Sequence, residues 1–400
     1  MALFQSAQPA KPMARIKVIG VGGAGGNAVN NMIDAGLEGL VEFIACNTDS
    51  QDLDRNRAET KIQLGAALTE GLGAGGNPEK GRKAILEDMS QIGEHIQGAH
   101  MVFIACGLGG GTGTGAAPVI AAQARELGIL TVAVATTPFG FEGPRRMRRA
   151  EEGLDALTSE VDSLIRIPNE KLLEVVGQNI TALDAYRFAD RVLLDAVQGI
   201  TDLIQLTGHI NVDFADVETT MHEAGPALMG TGWGEGDERA VQAARAAISS
   251  PLLEDVGVAG ATKVLLNITG SENLTLFELN AAADVIREAA ADDVDLIFGH
   301  VIDPTVGDRV KVTVIATCFE SRAAATTDVE ARARVEIPKR RSSQMPLPYR
   351  AATERPAVNR ALGRRSEVPA EPVPVRVGSV IYNEAEIDIP TFIRKQTDNT

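Results

Sequence analysis

The sequence predicts an α/β protein: a Rossmann-like parallel-sheet domain, a long central helix, a smaller α+β second domain and a disordered C-terminal linker. Three observations predict it. Apolar runs, each followed by a glycine-rich turn and then a helix, recur through the first half of the chain. That alternation builds a mostly parallel sheet with its loops gathered at the strands' carboxyl ends. Next, Leu183, Tyr186, Leu193, Leu194, Val197, Ile200, Leu203 and Ile204 form an apolar stripe at helical spacing between Ile180 and about Leu206. Beyond Ser321 periodicity is lost, seven of the 18 prolines fall within 321–385, and basic residues outnumber acidic ones there.

The expected organisation is a loose leader over 1–14, a nucleotide-binding domain over 15–178, the central helix over 179–208, the second domain over 209–320, the linker over 321–385, and a docking peptide over 386–400. Arg15 to Ile19 reads as the first strand, followed by a turn from Gly20 to Asn27 and a helix running to about Gly36. Gly20, Gly22 and Gly25 fit G-x-G-x-x-G, a pattern shared by dinucleotide-binding oxidoreductases and other nucleotide binders. A second strand, Val41 to Cys46, ends in the polar triplet Asn47-Thr48-Asp49, expected at a strand's carboxyl end to meet a ribose or base. After a polar stretch, a third glycine turn, Gly71 to Pro78 and including Gly75, precedes a helix from about Glu79 to Ile92.

The most informative stretch follows the buried strand Met101 to Cys106. Six glycines and two threonines lie within the nine residues from Gly107 to Gly115, and Pro118 to Gly128 then reads as a helix. Side-chain-free backbone, unpaired N–H groups and a helix dipole together form an anion site, to which Thr112 and Thr114 add hydroxyl donors. Ile129 to Thr136 is the next strand, and the basic residues Arg145, Arg146, Arg148 and Arg149 come after it. No segment matches G-x-x-x-x-G-K-[ST], so an ordinary P-loop is excluded. Charge neutralisation falls to backbone N–H groups, a magnesium ion and Arg146.

In the second domain Lys263 to Ile268, Leu296 to Ile302 and Val310 to Cys318 read as strands, with a helix from about Leu276 to Ala291. Asp213 and Asp216 open another helix on one side. Trp233, between glycines, reads as loop packing.

Bulk properties narrow the function. A net charge of −16 and a pI near 4.9 argue against a nucleic-acid binder. Cys46, Cys106 and Cys318 are far apart and read as small buried hydrophobes, neither a disulfide set nor a metal site. No signal core or membrane-length apolar run is present, so the expectation is a cytoplasmic protein without direct membrane insertion.

These residues resemble the FtsZ family, the bacterial tubulin homologues of cell division. The run Gly109 to Gly115 is similar to the tubulin/FtsZ signature. Gly20 to Asn27, Gly73 to Pro78 and Asn211 to Asp216 match other family loops in order, and Asp388 to Gln396 is similar to the family's terminal peptide. The resemblance implies a GTPase that binds GTP or GDP with Mg2+. It places Gly22, Gly23, Ala24, Gly25, Gly26 and Asn27, with Gly109, Gly110, Gly111, Thr112, Gly113 and Thr114, on the phosphates. Glu142 and Arg146 would lie near the ribose and phosphates, and Asp190 on the guanine. It further implies a division filament at midcell, tethered through residues 386–400 to a membrane-anchored adaptor such as FtsA.

Other readings of the same residues are Asp213 and Asp216 as an N-capping pair, Glu142 and Arg146 as an i,i+4 surface pair, and Asp190 as a solvated helix position. If Asp190 reads the base, the Asp213/Asp216 pair lies over twenty residues further on, roughly 35 Å at helical rise. The expectation is then a site shared head-to-tail, with Asp213 and Asp216 of one copy polarising water on its neighbour's GTP and Asn211 positioning it. The rivals are an NAD-dependent oxidoreductase and a structural nucleotide binder that does not hydrolyse. The first leaves the 109–115 loop without a purpose, and the second leaves the aspartate pair without one.

Overall fold

The computed structural model describes residues 14–177, 180–206, 210, 212–253, 258–291 and 293–319, with the backbone of 375–377 and 380–382. Residues 1–334 form one compact unit and 335–400 another. In the first unit the chain runs β1 (Ile16–Val21), α1 (Gly22–Asp34), β2 (Glu42–Asn47), α2 (Ser50–Arg55), β3 (Thr60–Gln63), α3 (Ala66–Thr69), α4 (Pro78–Glu87), α5 (Met89–Ile96) and β4 (Met101–Gly107). It continues through α6 (Thr112–Glu126), β5 (Leu130–Thr137), a 3-10 turn at Gly140–Glu142, α7 (Pro144–Thr158), β6 (Ser163–Pro168), α8 (Asn169–Val176) and α9 (Ala182–Gln205). Then follow α10 (Phe214–Met221), β7 (Gly225–Gly234), α11 (Arg239–Ile248), β8 (Ala261–Gly270), α12 (Leu276–Ala289), β9 (Asp295–Ile302) and β10 (Val310–Phe319).

Ten strands form one sheet in the order β3-β2-β1-β4-β5-β6-β7-β10-β8-β9. The first seven neighbours are parallel, β10 is antiparallel to both β7 and β8, and β9 is parallel to β8. Strand β7 is common to both halves. Its start pairs with β6 at Gly225, Pro226 and Ala227, and Leu228 to Gly234 pair with β10.

The continuous apolar runs have the cause that a parallel sheet requires: both faces are covered. In β4, Met101, Phe103 and Ala105 join a core with α1 and α9, while Val102, Ile104 and Cys106 join another with α4 and α6. This is the two-residue period of a strand. A third core lies under α11 and α12.

Several sequence expectations are corrected. The helices after β1 and β4 begin inside their glycine runs, at Gly22 and Thr112. Pro118 therefore sits in the second turn of α6, where its missing N–H forfeits only one intrahelical bond. The expected helix 79–92 is two helices, broken at Asp88, whose carboxylate accepts a hydrogen bond from the Gly65 N–H at 2.7 Å. Strands β3, β6 and β7 and helices α2, α3, α7, α8 and α11 were not read from the sequence. In β7 the reason is clear: Gly230, Gly232 and Gly234 alternate on the face against α11, where added Cβ atoms would strike the helix backbone at Ala247, Ala243 and Arg239. Glycine here makes a packing surface instead of a break. Trp233 is on this strand, not in a loop, with the Arg309 guanidinium 4.9 Å above its ring. Cys318 is half-buried at φ +55°, while Cys46 and Cys106 are buried as expected.

In the second unit, within the segment expected to be a disordered linker, Val375–Val377 and Val380–Tyr382 form a short antiparallel ladder. The leader over 1–13, the rest of the linker and the docking peptide 386–400 lie outside the described residues.

Candidate nucleotide site

Strand β1 has β2 on one side and β4 on the other, so the chain reverses direction across the sheet between β1 and β4. Ligands of open α/β sheets sit at such a reversal, outside the strands' carboxyl ends. A cleft lies there. Its floor is Val21 to Ala24, Gly107, Leu108 and Gly110 to Gly113, and its far wall is Thr136 to Pro138, Glu142, Arg146, Asn169, Tyr186, Ala189 and Asp190.

The floor consists of the N-termini of two helices, α1 of 13 residues and α6 of 15. Neither has a side chain capping its first N–H groups, and neither has an acidic residue in its first turn. Their positive ends and free donors are left for an anion. Glycine lets the two termini meet: at Gly22, with φ +72°, an added Cβ would lie 3.1 Å from the Gly113 nitrogen. At Gly110 it would meet nothing within 4 Å, which leaves open space over the cradle.

The wall carries the polar groups. Glu142 is buried, with 6% of its side chain exposed, accepts a hydrogen bond from the Phe139 N–H at 2.9 Å, and pairs with Arg146 at 3.0 Å. This is no surface pair, since only the arginine end reaches solvent. Asp190 is half-buried on α9, and burial pushes its carboxyl up to about 6, so it is not a solvated position either. Asn169 is buried, and its Oδ1 has no hydrogen-bond partner among the described residues. The Tyr186 ring stands edge-on to Phe139 and Phe141, and burial, then the Glu142 carboxylate, raises its phenol.

Of the residues read from sequence, Gly22, Gly23, Ala24, Gly110, Gly111, Thr112, Gly113, Glu142, Arg146 and Asp190 line this cleft together. Gly26 and Asn27 line an adjoining polar cleft with Asn47, Asp52 and Asn56. Three others support the loops from behind. Gly25 packs on the Ala105 carbonyl, Gly109 takes φ +91° beneath Arg146, and Thr114 Oγ1 accepts a hydrogen bond from the Gly109 N–H at 2.9 Å. Gly75, at φ +62°, belongs to the turn before α4 and lines neither cleft.

Asp213 and Asp216 are elsewhere. Helix α9 starts at the cleft and ends at the strands' opposite, amino ends, where Gln205 Nε2 donates to the Ala14 carbonyl just before β1, at 2.5 Å. The helical rise from Asp190 ends at Gln205, about 22 Å away, so the path to the aspartates is not the continuous helix that the expected roughly 35 Å assumed. The loop beyond it bridges Ile210 to His300 on β9 and leads into α10. Asp213 stands at the N-cap of α10 but its side chain caps nothing, and both aspartates are exposed. The capping reading fails for Asp213. Asn211 lies outside the described residues.

Nothing in the sequence marks Asn169 or Tyr186 as site residues, and Thr48, expected at a ribose or base, is instead buried with its hydroxyl on Thr112. Asn169 follows a strand that Ser163 and Arg166 disguise. Tyr186 fits the apolar stripe of α9 by spacing, yet one turn before Asp190 it shares that residue's face.

Residues 15–177 match the model of the tubulin/FtsZ family GTPase domain, and residues 225–320 match that of the FtsZ family C-terminal domain. The chain is similar to a solved empty FtsZ dimer from M. jannaschii at 44% identity, covering 76% of this chain and 88% of that one, with a TM-score of 0.73. A point mutant of the same protein gives 44% identity, coverage of 78% and 92%, and a TM-score of 0.74. CetZ2 from Haloferax volcanii, solved as a GTPγS-bound protofilament, shares the fold at 20% identity and a TM-score of 0.65, covering 80% of this chain and 97% of that one.

Proposed function

Because the chain belongs to the tubulin/FtsZ family of GTPases, we propose that it binds GTP in the cleft between β1 and β4 and hydrolyses it only when a second copy completes the site. The observation carrying this reading is that the exposed Asp213/Asp216 pair lies at the strands' amino ends, away from the cleft, with the ring of Phe214, between them, packed 5.9 Å from the His100 ring just before β4. Guanine suits the wall. Its N1–H and N2–H groups are donors that the Asp190 carboxylate accepts, and Asn169 offers a buried oxygen that has no partner among the described residues. Adenine would turn a lone pair toward that carboxylate. The phosphates suit the two uncapped helix ends and Arg146. Among the described residues no group of three or more His, Cys, Asp or Glu gathers to hold a metal. Mg2+ is therefore assigned to the phosphates, where it would neutralise charge.

Asp213 and Asp216 then hold and polarise the water that attacks the γ-phosphorus of the neighbour's GTP, Asn211 has the role of helping to position that water, and GDP and phosphate leave. Positioning and charge stabilisation are the main protein contributions to phosphoryl transfer, and each copy has half of them. Repetition of this head-to-tail contact with little rotation gives a filament. Asp213→Ala or Asp216→Ala should leave GTP affinity within about twofold and reduce turnover by about a hundredfold or more. Phosphate release per molecule should also vanish on dilution below the assembly threshold; a constant rate there would defeat the shared site.

The terminal peptide 386–400 supports a cell-division role, docking the filament at midcell on a membrane-anchored adaptor such as FtsA. Its removal should leave turnover intact and abolish capture of the adaptor in a pull-down.

A further inference from the structure

Thr48, in the loop after β2, lines neither of the two clefts described above and is sealed from solvent. Its hydroxyl lies 2.6 Å from that of Thr112, the first residue of α6, which lines the nucleotide cleft. Its carbonyl accepts from the Gly73 N–H at 3.2 Å and from the Thr69 hydroxyl at 3.2 Å. One residue thus ties the third glycine turn to the six-glycine loop.

The direction of the hydroxyl pair follows from what each oxygen can reach. Among the described residues Thr48 Oγ1 has no hydrogen-bond partner other than Thr112, and no water reaches it. A buried hydroxyl proton left unpaired is costly, so the Thr48 proton goes to Thr112 Oγ1. Thr112 accepts there, and its own proton is free for the cleft. In the reverse arrangement Thr112 would present only lone pairs to an incoming anion.

We infer that Thr48 is a positioning residue for nucleotide phosphate: by donating to Thr112 it fixes the Thr112 hydroxyl as a donor facing the cleft. A phosphate oxygen accepting from Thr112 polarises that hydroxyl, which in turn strengthens the bond from Thr48. This inference rests on the cleft being the GTP site.

A double-mutant cycle tests it. Equilibrium binding of GDP is measured on the full chain for wild type, Thr48→Val, Thr112→Val and the double variant, with melting temperatures recorded alongside. Thr48→Val should weaken GDP about fivefold to tenfold, the size of one lost hydrogen bond. It should add almost nothing in the Thr112→Val background, since residues acting through one another are non-additive. Thr48→Ser, which keeps the hydroxyl, should bind within twofold of wild type, and Thr48→Cys, with its weak S–H donor, should fall between. The cysteine variant carries the test if valine prevents folding. Additive losses, or a Thr48→Ser loss as large as that of Thr48→Val, would overturn the role. If the wild type binds no guanine nucleotide, the reading of the cleft itself fails, a different outcome from equal binding by all four proteins.

Discussion

At the residue scale the cleft is defined by side chains whose ordinary chemistry has been altered by burial. Asp190 is the clearest case, with its carboxyl pushed up to about 6 because its charge is poorly solvated. The sign gives two opposed effects. A folded value above the unfolded one stabilises the empty protein below the usual carboxylate range, and that stability is lost as pH rises through about 6. Guanine needs the ionised acceptor, so affinity runs the other way: GDP binding should weaken as pH falls through about 6. Calorimetric titration between pH 7.5 and 5 checks this, and Asp190→Asn should flatten the profile. Of the charged residues of the site, Arg146 was legible as a phosphate partner once no P-loop lysine was found, while Glu142 and Asp190 were legible only through the resemblance, because each had an ordinary surface reading as well. Burial separates those readings, and burial depends on distant strands. Asn169 lacked even that signal, since a lone amide at a strand end is common, and Thr48 was legible only as part of a polar strand end.

At the element scale, what was legible depended on how each element buries itself. β1, β2, β4 and β5 were evident because both of their faces are covered with apolar side chains. Helix α7 was not: its buried residues are only Ala150, Gly153 and Leu157, set among arginines and glutamates. Glycine was ambiguous for a physical reason, serving as cradle, as close-packing surface or as turn. Two substitutions separate the first two uses. Gly232→Ala drives a methyl group into the backbone of α11 at Ala243 and should cost about 1–3 kcal/mol in denaturant unfolding. Gly110→Ala meets no protein atom within 4 Å. It should leave stability unchanged or slightly higher while weakening GTP binding, because its methyl group occupies the cradle.

At the scale of the whole molecule, the two halves expected as separate domains have no seam between them in the sheet. The sheet continues through β7, and one apolar cluster extends from Val18 and Phe103 through Leu193 and Ile200 to Leu265 and Ile315. The sequence could not show this, since the pairing of β6 with β7 covers only three residue pairs and joins segments more than sixty positions apart. A strand that belongs to both partners cannot melt with one and stay ordered with the other. Heating should accordingly take residues 15–319 apart in a single calorimetric peak whose van't Hoff and calorimetric enthalpies agree, where independent domains would give two. Severing the polypeptide between the matched segments should not yield two autonomous fragments: each would carry a raw sheet edge, and they should survive only by re-annealing along that common strand.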